Sequence, residues 1–171
     1  PKTISNFTKN VEMIFNKKRD LLIVVGGGSL PPSMYDRPHE DELQPNRDRM
    51  EEQVIHYCVA HGIPIIATCR GMQYINVMFG GKLWYHPKLP VTRTRGMDHQ
   101  VWLVKEQRNI WVNNYHSDCI YEEGLAPCFE PLAIDRENHV VEAYGSDEMK
   151  ILALQWHPER RFETANAYEE T

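Results

Sequence analysis

The chain has 171 residues, 42% of them apolar and 25% charged, the composition of a single globular domain with one sizeable core. A net charge of −5 sets aside a nucleic-acid surface and an anionic-membrane face, and no apolar run approaches membrane-spanning length. The four cysteines (Cys58, Cys69, Cys119, Cys128) lack CxxC spacing and are too few for a disulfide scaffold, and the residues given carry no signal-peptide pattern, so the expected home is a reducing cytoplasm.

Phe7, Val11, Ile14 and Phe15 fall on one face of an amphipathic helix whose basic end is Lys17-Lys18-Arg19. Leu21-Leu22-Ile23-Val24-Val25 reads as a strand buried on both faces, and it ends in Gly26-Gly27-Gly28. Residues 29–45 hold four prolines and many polar groups, the signature of a long functional loop. A helix is predicted from about Arg47 to His61, with Met50, Val54, Tyr57 and Cys58 inward and Gly62 as its stop.

Ile63 to Thr68 is an apolar run rich in β-branched residues that stops at Cys69, and a helical pattern follows to about Phe79, closed by Gly80-Gly81. Leu83 to Arg95 is irregular and basic. Val101–Val104 and Ile110–Val112 read as short strands, Tyr115–Cys119 as a polar loop, and Ala133–Asp135 with Val140–Tyr144 as a hairpin. Ile151–Trp156 reads as a last strand that runs into His157-Pro158-Glu159. Helices alternating with apolar strands in the first half predict an α/β fold with a mainly parallel sheet.

Strand, cysteine, helix is the order of a nucleophile elbow, whose strained turn needs small neighbours; Ala67 and Gly71 meet that need two residues to either side of Cys69. A thiolate there sits at a helix N-terminus, where backbone N–H groups favour negative charge. A buried structural cysteine closing a core strand is the plainer alternative. A cysteine nucleophile needs a base and a group to orient it. His157 follows the last strand at the sheet edge where sites form in open α/β sheets, and Glu159 can reach its second ring nitrogen. Acyl transfer also needs N–H donors for the developing oxyanion, here the N–H of Gly27 and that of Arg70, the residue after the cysteine. A phosphate loop is the rival reading of the glycines, but neither Gly-Lys-Ser/Thr nor the third glycine of a dinucleotide fingerprint follows. No histidine, cysteine or carboxylate cluster has metal-ligand spacing, so neither metal nor other cofactor is expected.

Cys69-Arg70-Gly71-Met72-Gln73 together with Gln155-Trp156-His157-Pro158-Glu159 resembles the class I glutamine amidotransferase superfamily, and within it the γ-glutamyl hydrolase branch, peptidase family C26. Val25-Gly26-Gly27, Arg47-Asp48, Asn76-Val77, Gly80-Gly81, Val112-Asn113-Asn114-Tyr115-His116 and Val141-Glu142-Ala143 extend the resemblance over nearly the whole chain. It implies a glutamine amidotransferase-like (flavodoxin-like) fold: a mainly parallel sheet flanked by helices, with a small antiparallel extension. The domain would occupy residues 1–171, with the family's first strand missing before Pro1.

The resemblance further implies that Cys69 attacks a γ-glutamyl amide carbonyl, that His157 shuttles the proton and that Glu159 orients His157. Gly26, Gln73, His116 and the backbone around Ser117 and Asp118 would hold the glutamyl unit. In this branch an arginine follows the nucleophile, and Arg70 would meet a carboxylate or phosphate on the leaving side, unless it is a helix-surface arginine paired with a glutamate. Ala67, Trp156, Asn114 and Gly28 depart from the commoner family residues without removing a catalytic group.

The partner implied is a small γ-glutamyl substrate, with neither nucleic acid nor membrane and with a homodimer left open. The leaving group would be an amine or an amidate, as in a γ-glutamyl amino acid or a γ-glutamyl-nucleotide amidate. Two alternatives stand beside this hydrolase. One is the glutaminase subunit of an amidotransferase, active only with its synthase. The other is a non-catalytic binding protein, against which the intact Cys69, His157 and Glu159 argue. Cys58, Cys119 and Cys128 read as inert; His86 and His99 have a place at the substrate mouth as one reading, with loop histidines that do nothing as the plainer one.

Overall fold

In the computed structural model, residues 20–35, 43–85 and 98–160 are described. In chain order they form β1 (Leu22–Val24), α1 (Pro45–His61), β2 (Ile65–Thr68), α2 (Arg70–Met78), β3 (Trp84–Tyr85), β4 (His99–Leu103), β5 (Arg108–Val112), β6 (Asp118–Cys119), β7 (Glu130–Asp135), β8 (Val140–Ser146) and β9 (Ile151–Leu154). The amphipathic helix expected around residues 7–15 and the histidine at position 86 lie outside the described residues.

Seven strands make one sheet in the order β1-β2-β9-β8-β7-β4-β5. β2 pairs parallel with β1 on one side and with β9 on the other, which brings the end of the Cys69 strand beside the end of the strand before His157. From β9 outward the pairing is antiparallel, through the hairpin β7–β8 and on to β4 and β5.

Strand alternation puts Val24, Ile65, Ala67, Ile151 and Ala153 on one face, where they join Ile55 and Cys58 of α1 and Met72 and Ile75 of α2 in the main core. α1 begins with Pro45 in its first turn and ends at Gly62, whose φ of +65° is the left-handed conformation that suits glycine. Among the described residues, no helix is long and apolar enough to cross a membrane.

Several local expectations are corrected. β1 is not buried on both faces: Val24 is buried, but Ile23 is 58% exposed and Leu21 and Val25 are also open. A continuous apolar run names the residue type on both faces without saying what covers each. Met50 is exposed. The inward stripe of α1 runs Asp48, Glu51, Ile55, Cys58, and its first turns are charged because they meet a buried arginine, so apolar periodicity alone misplaces the helix face. The stretches read as irregular at Leu83 and as a polar loop at Tyr115–Cys119 contain β3 and β6, two-residue strands that pair antiparallel and are too short for any periodicity to mark.

Candidate active site

The Cys69 turn is built by its neighbours. β2 ends at Thr68, α2 begins at Arg70, and Cys69 between them has φ 50° and ψ −111°. That conformation costs a side-chain-bearing residue about 1–3 kcal/mol and persists only where packing enforces it. Part of the enforcement is the Cys69 N–H, which donates to the Leu154 carbonyl at 2.8 Å and ties the turn to β9. The rest is close approach: a Cβ on Gly71 would run into the carbonyl of Val24, so only glycine lets the first turn of α2 lie against β1.

His157 is held as firmly by its backbone. The Asn113 side chain donates to the His157 carbonyl at 2.8 Å and accepts from the His157 N–H at 2.8 Å. The ring Nδ1 donates to Glu159 Oε1 at 2.6 Å, since a carboxylate can only accept. The point where a Cβ on Gly26 would stand is 2.6 Å from His157 Cε1, 3.4 Å from Nε2 and 3.5 Å from Cys69 Cβ. The imidazole and the cysteine thus converge on the same bare side of Gly26.

Burial pushes the Cys69 thiol up to about 11, while the Arg70 N–H and the charge of Arg160 pull it down and those of Asp118 and Glu159 add to the rise. The helix N-terminus acts in the expected sense, but burial outweighs it and favours the thiol over the thiolate. Burial also raises the Glu159 carboxyl, but the His157 hydrogen bond, its own backbone and the charges of His157 and Arg160 together hold it below the usual carboxylate range.

Arg70 does not face a ligand. Its side chain is 1% exposed, pairs with Asp48, and donates to Glu51 Oε2 at 2.7 Å. Glu51 in turn accepts from Arg47 Nε at 2.6 Å, and Arg47 donates to the carbonyls of Val25 at 2.6 Å and Gly26 at 3.1 Å. Arg70 is therefore neither the leaving-side cation nor a helix-surface residue. Its guanidinium is one end of a buried charge network that runs through α1 to the glycine turn after β1. A Cβ on Gly27 would strike Arg47, so that glycine faces the network while Gly26 faces the imidazole.

The remaining expected ligands lie along the wall formed by β6 and α2. Gln73 Nε2 donates to the Asp118 carbonyl at 3.1 Å and to Gln155 Oε1 at 3.3 Å, so its amide nitrogen is engaged within the protein. His116 donates from Nδ1 to the Asp118 carbonyl at 3.0 Å, with Nε2 3.7 Å from buried Glu142. The Asp118 side chain accepts from Tyr35 at 2.9 Å, and Ser117 is exposed. His99, rather than lining a mouth from a loop, points Nε2 at Glu142 Oε1, 3.4 Å away.

Among the described residues, no group of three histidine, cysteine or carboxylate side chains is placed to hold a metal ion. Sequence reasoning missed the work of Arg47 and Asn113. Arg47 was legible as an i, i+4 partner of Glu51, but not as the residue that grips β1. Asn113 carried no local signal, since its partner is 44 residues away.

Known proteins resemble this chain in sequence and in fold. Protein NtpR of Enterococcus hirae is 30% identical over 181 residues, covering 93% of this chain and 71% of that protein. The gamma-glutamyl-gamma-aminobutyrate hydrolase PuuD of Escherichia coli is 26% identical over 175 residues, covering 87% of this chain and 67% of that one. The crystal structure of a glutamine amidotransferase from Thermotoga maritima superimposes with a TM-score of 0.59 at 19% identity, over 79% of this chain and 55% of that one, which establishes the glutamine amidotransferase-like fold. The chain spans little more than half the length of that solved protein. The Peptidase C26 family model matches residues 7–159, the stretch that carries the elbow, the glycine turn and the His157 strand, and the chain therefore belongs to the peptidase C26 family.

Proposed function

We propose that the chain hydrolyses a γ-glutamyl amide through a thioester on Cys69. The observation that supports this most is the convergence on Gly26 of a strained-turn cysteine and an imidazole whose far nitrogen donates to Glu159 at 2.6 Å. With Nδ1 carrying the proton, His157 Nε2 takes the Cys69 proton as sulfur bonds to the γ-carbonyl carbon. The oxyanion that forms accepts from the N–H groups of Arg70 and Gly27. The C–N bond then breaks and the imidazolium gives its proton to the departing nitrogen. Water, deprotonated by His157, attacks the thioester; the carbon–sulfur bond breaks, the thiol regains the proton, and glutamate leaves. Glu159 stabilises the imidazolium in both halves.

The glutamyl unit is assigned to the wall of Gly26, Gln73, His116, Ser117 and Asp118. A thiol nucleophile suits a reducing compartment, and we place the reaction in the cytoplasm. The hydrolase named for gamma-glutamyl-gamma-aminobutyrate among the relatives supports the γ-glutamyl amide class.

The test is a panel of γ-glutamyl amides with glutamate release as readout, run with Cys69→Ser alongside. Turnover by the free chain that disappears in Cys69→Ser is expected. Turnover that survives the substitution overturns the thioester route, and glutamine cleavage that requires an added synthase replaces the hydrolase with an ammonia-delivering subunit.

A further inference from the structure

Under the hydrolase reading, the departing nitrogen takes its proton from His157, so whatever is attached to that nitrogen lies on the His157 side of the pocket. The arginine next to Cys69 in sequence cannot recognise it, because the Arg70 guanidinium is buried on Asp48 and Glu51. A second arginine is placed for that task. Arg160 is exposed, and its backbone N–H donates to the His157 carbonyl at 3.0 Å, which ties its backbone to that of His157. Its guanidinium carbon lies 4.4 Å from the centre of the Tyr115 ring. That ring stands edge-on to the His157 imidazole, with centroids 5.8 Å apart and planes at 89°. Imidazole, phenol and guanidinium are therefore successive neighbours, running from the buried His157 through half-buried Tyr115 to the exposed Arg160.

A guanidinium over an aromatic ring keeps its N–H donors at its rim, available for a bidentate acceptor. The charge does reach the reacting centre, since Arg160 is the cation among the three charged side chains whose fields act on the Cys69 thiol. The two anions of that set have partners already: Glu159 accepts from His157, and Asp118 from Tyr35. We infer that Arg160, braced on Tyr115, is a specificity-determining residue that binds an anionic oxygen group, carboxylate or phosphate, carried by the leaving amine. The inference rests on the hydrolase reading and adds the substrate class to it.

The experiment compares kcat/KM for three amides of γ-glutamate: with ethylamine, which is neutral; with gamma-aminobutyrate, which brings a carboxylate; and with aminoethyl phosphate. Each is measured with the wild-type chain, Arg160→Ala and Arg160→Lys, with circular dichroism as the check on folding. The readout is the ratio of anionic to neutral substrate, because any change that Arg160 makes to Cys69 or Glu159 acts on all three alike and cancels. The ratio is expected to favour an anionic amide in the wild type and to fall about tenfold in Arg160→Ala, the scale of one charge-assisted contact open to water on one side. Arg160→Lys should fall between them, and raising the ionic strength should shrink the wild-type preference. The anionic amide whose ratio falls further identifies the group bound. A wild-type chain without anionic preference, or a ratio unchanged in Arg160→Ala, overturns the inference while leaving the hydrolase intact. Failure to cleave any of the three amides overturns the hydrolase reading and this inference with it.

Discussion

Gly26 and Gly27 are neighbours in one turn, yet they serve two different chemistries. The missing side chain of Gly26 leaves room for the His157 ring and Cys69; that of Gly27 leaves room for the guanidinium of Arg47. On the first side the His157 ring and the Cys69 Cβ both lie within 3.5 Å of the point where a Gly26 Cβ would stand. On the second side Arg47, Glu51, Arg70 and Asp48 are joined in a chain of charge-assisted hydrogen bonds. The difference shows how an elbow can be strained and still precise. The reactive side is kept open by glycine, and the rigid side fixes the same backbone from behind, through the Val25 and Gly26 carbonyls.

That contrast can be broken one side at a time. On the reactive side, Cys69→Ser should lower kcat for γ-glutamyl amide hydrolysis by at least about a thousandfold with an unchanged melting temperature. On the rigid side, Asp48→Ala leaves the buried Arg70 with Glu51 as its one remaining carboxylate and should cost about 1–3 kcal/mol of stability, read from urea melts. A loss under about 1 kcal/mol would mean that the network is not structural. Gly26→Ala tests whether the two sides are separable. Its Cβ would stand 2.6 Å from His157 Cε1, so the ring must move, and a displacement of that size should lower kcat about a hundredfold while the fold survives. Asn113→Ala removes the two bonds on the His157 backbone and should lower kcat about tenfold, with KM little changed.

The gentlest test is chemical. Burial lifts the Cys69 thiol to about 11 with His157 in place, so the resting thiolate fraction at neutral pH is small, and alkylation near neutrality needs His157 to take the proton as the sulfur attacks. Iodoacetamide should therefore modify Cys69 in His157→Ala only at high pH, whereas the wild-type chain, with His157 in place, should react near neutrality. Matching pH profiles in the two proteins would show that His157 is not the base.

Much of this site was readable along the chain wherever function rests on short-range pattern. Ile65 to Gly71 declares a strand, a turn and a helix, and His157-Pro158-Glu159 carries its orienting carboxylate two residues away, so both ends of the site could be drawn before any coordinates. The direction of Arg70 could not. Next to Cys69 in sequence, it looks like part of the mouth; from the first position of α2 its side chain turns inside, held by carboxylates about twenty residues earlier. Met50 failed for the same reason, since the face of α1 is set by where Arg70 needs Asp48 and Glu51.

By itself, then, the sequence determined the α/β class, the elbow at Cys69, the glycine turn and the family, because each depends on residue type and spacing within a few positions. The tertiary structure alone decided which arginine is buried and which stands at the mouth, that Asn113 clamps His157, and that adjacent glycines face opposite ways. Those outcomes depend on the parallel register of β1, β2 and β9, and on the geometry of side chains brought together from distant segments, which local pattern does not encode.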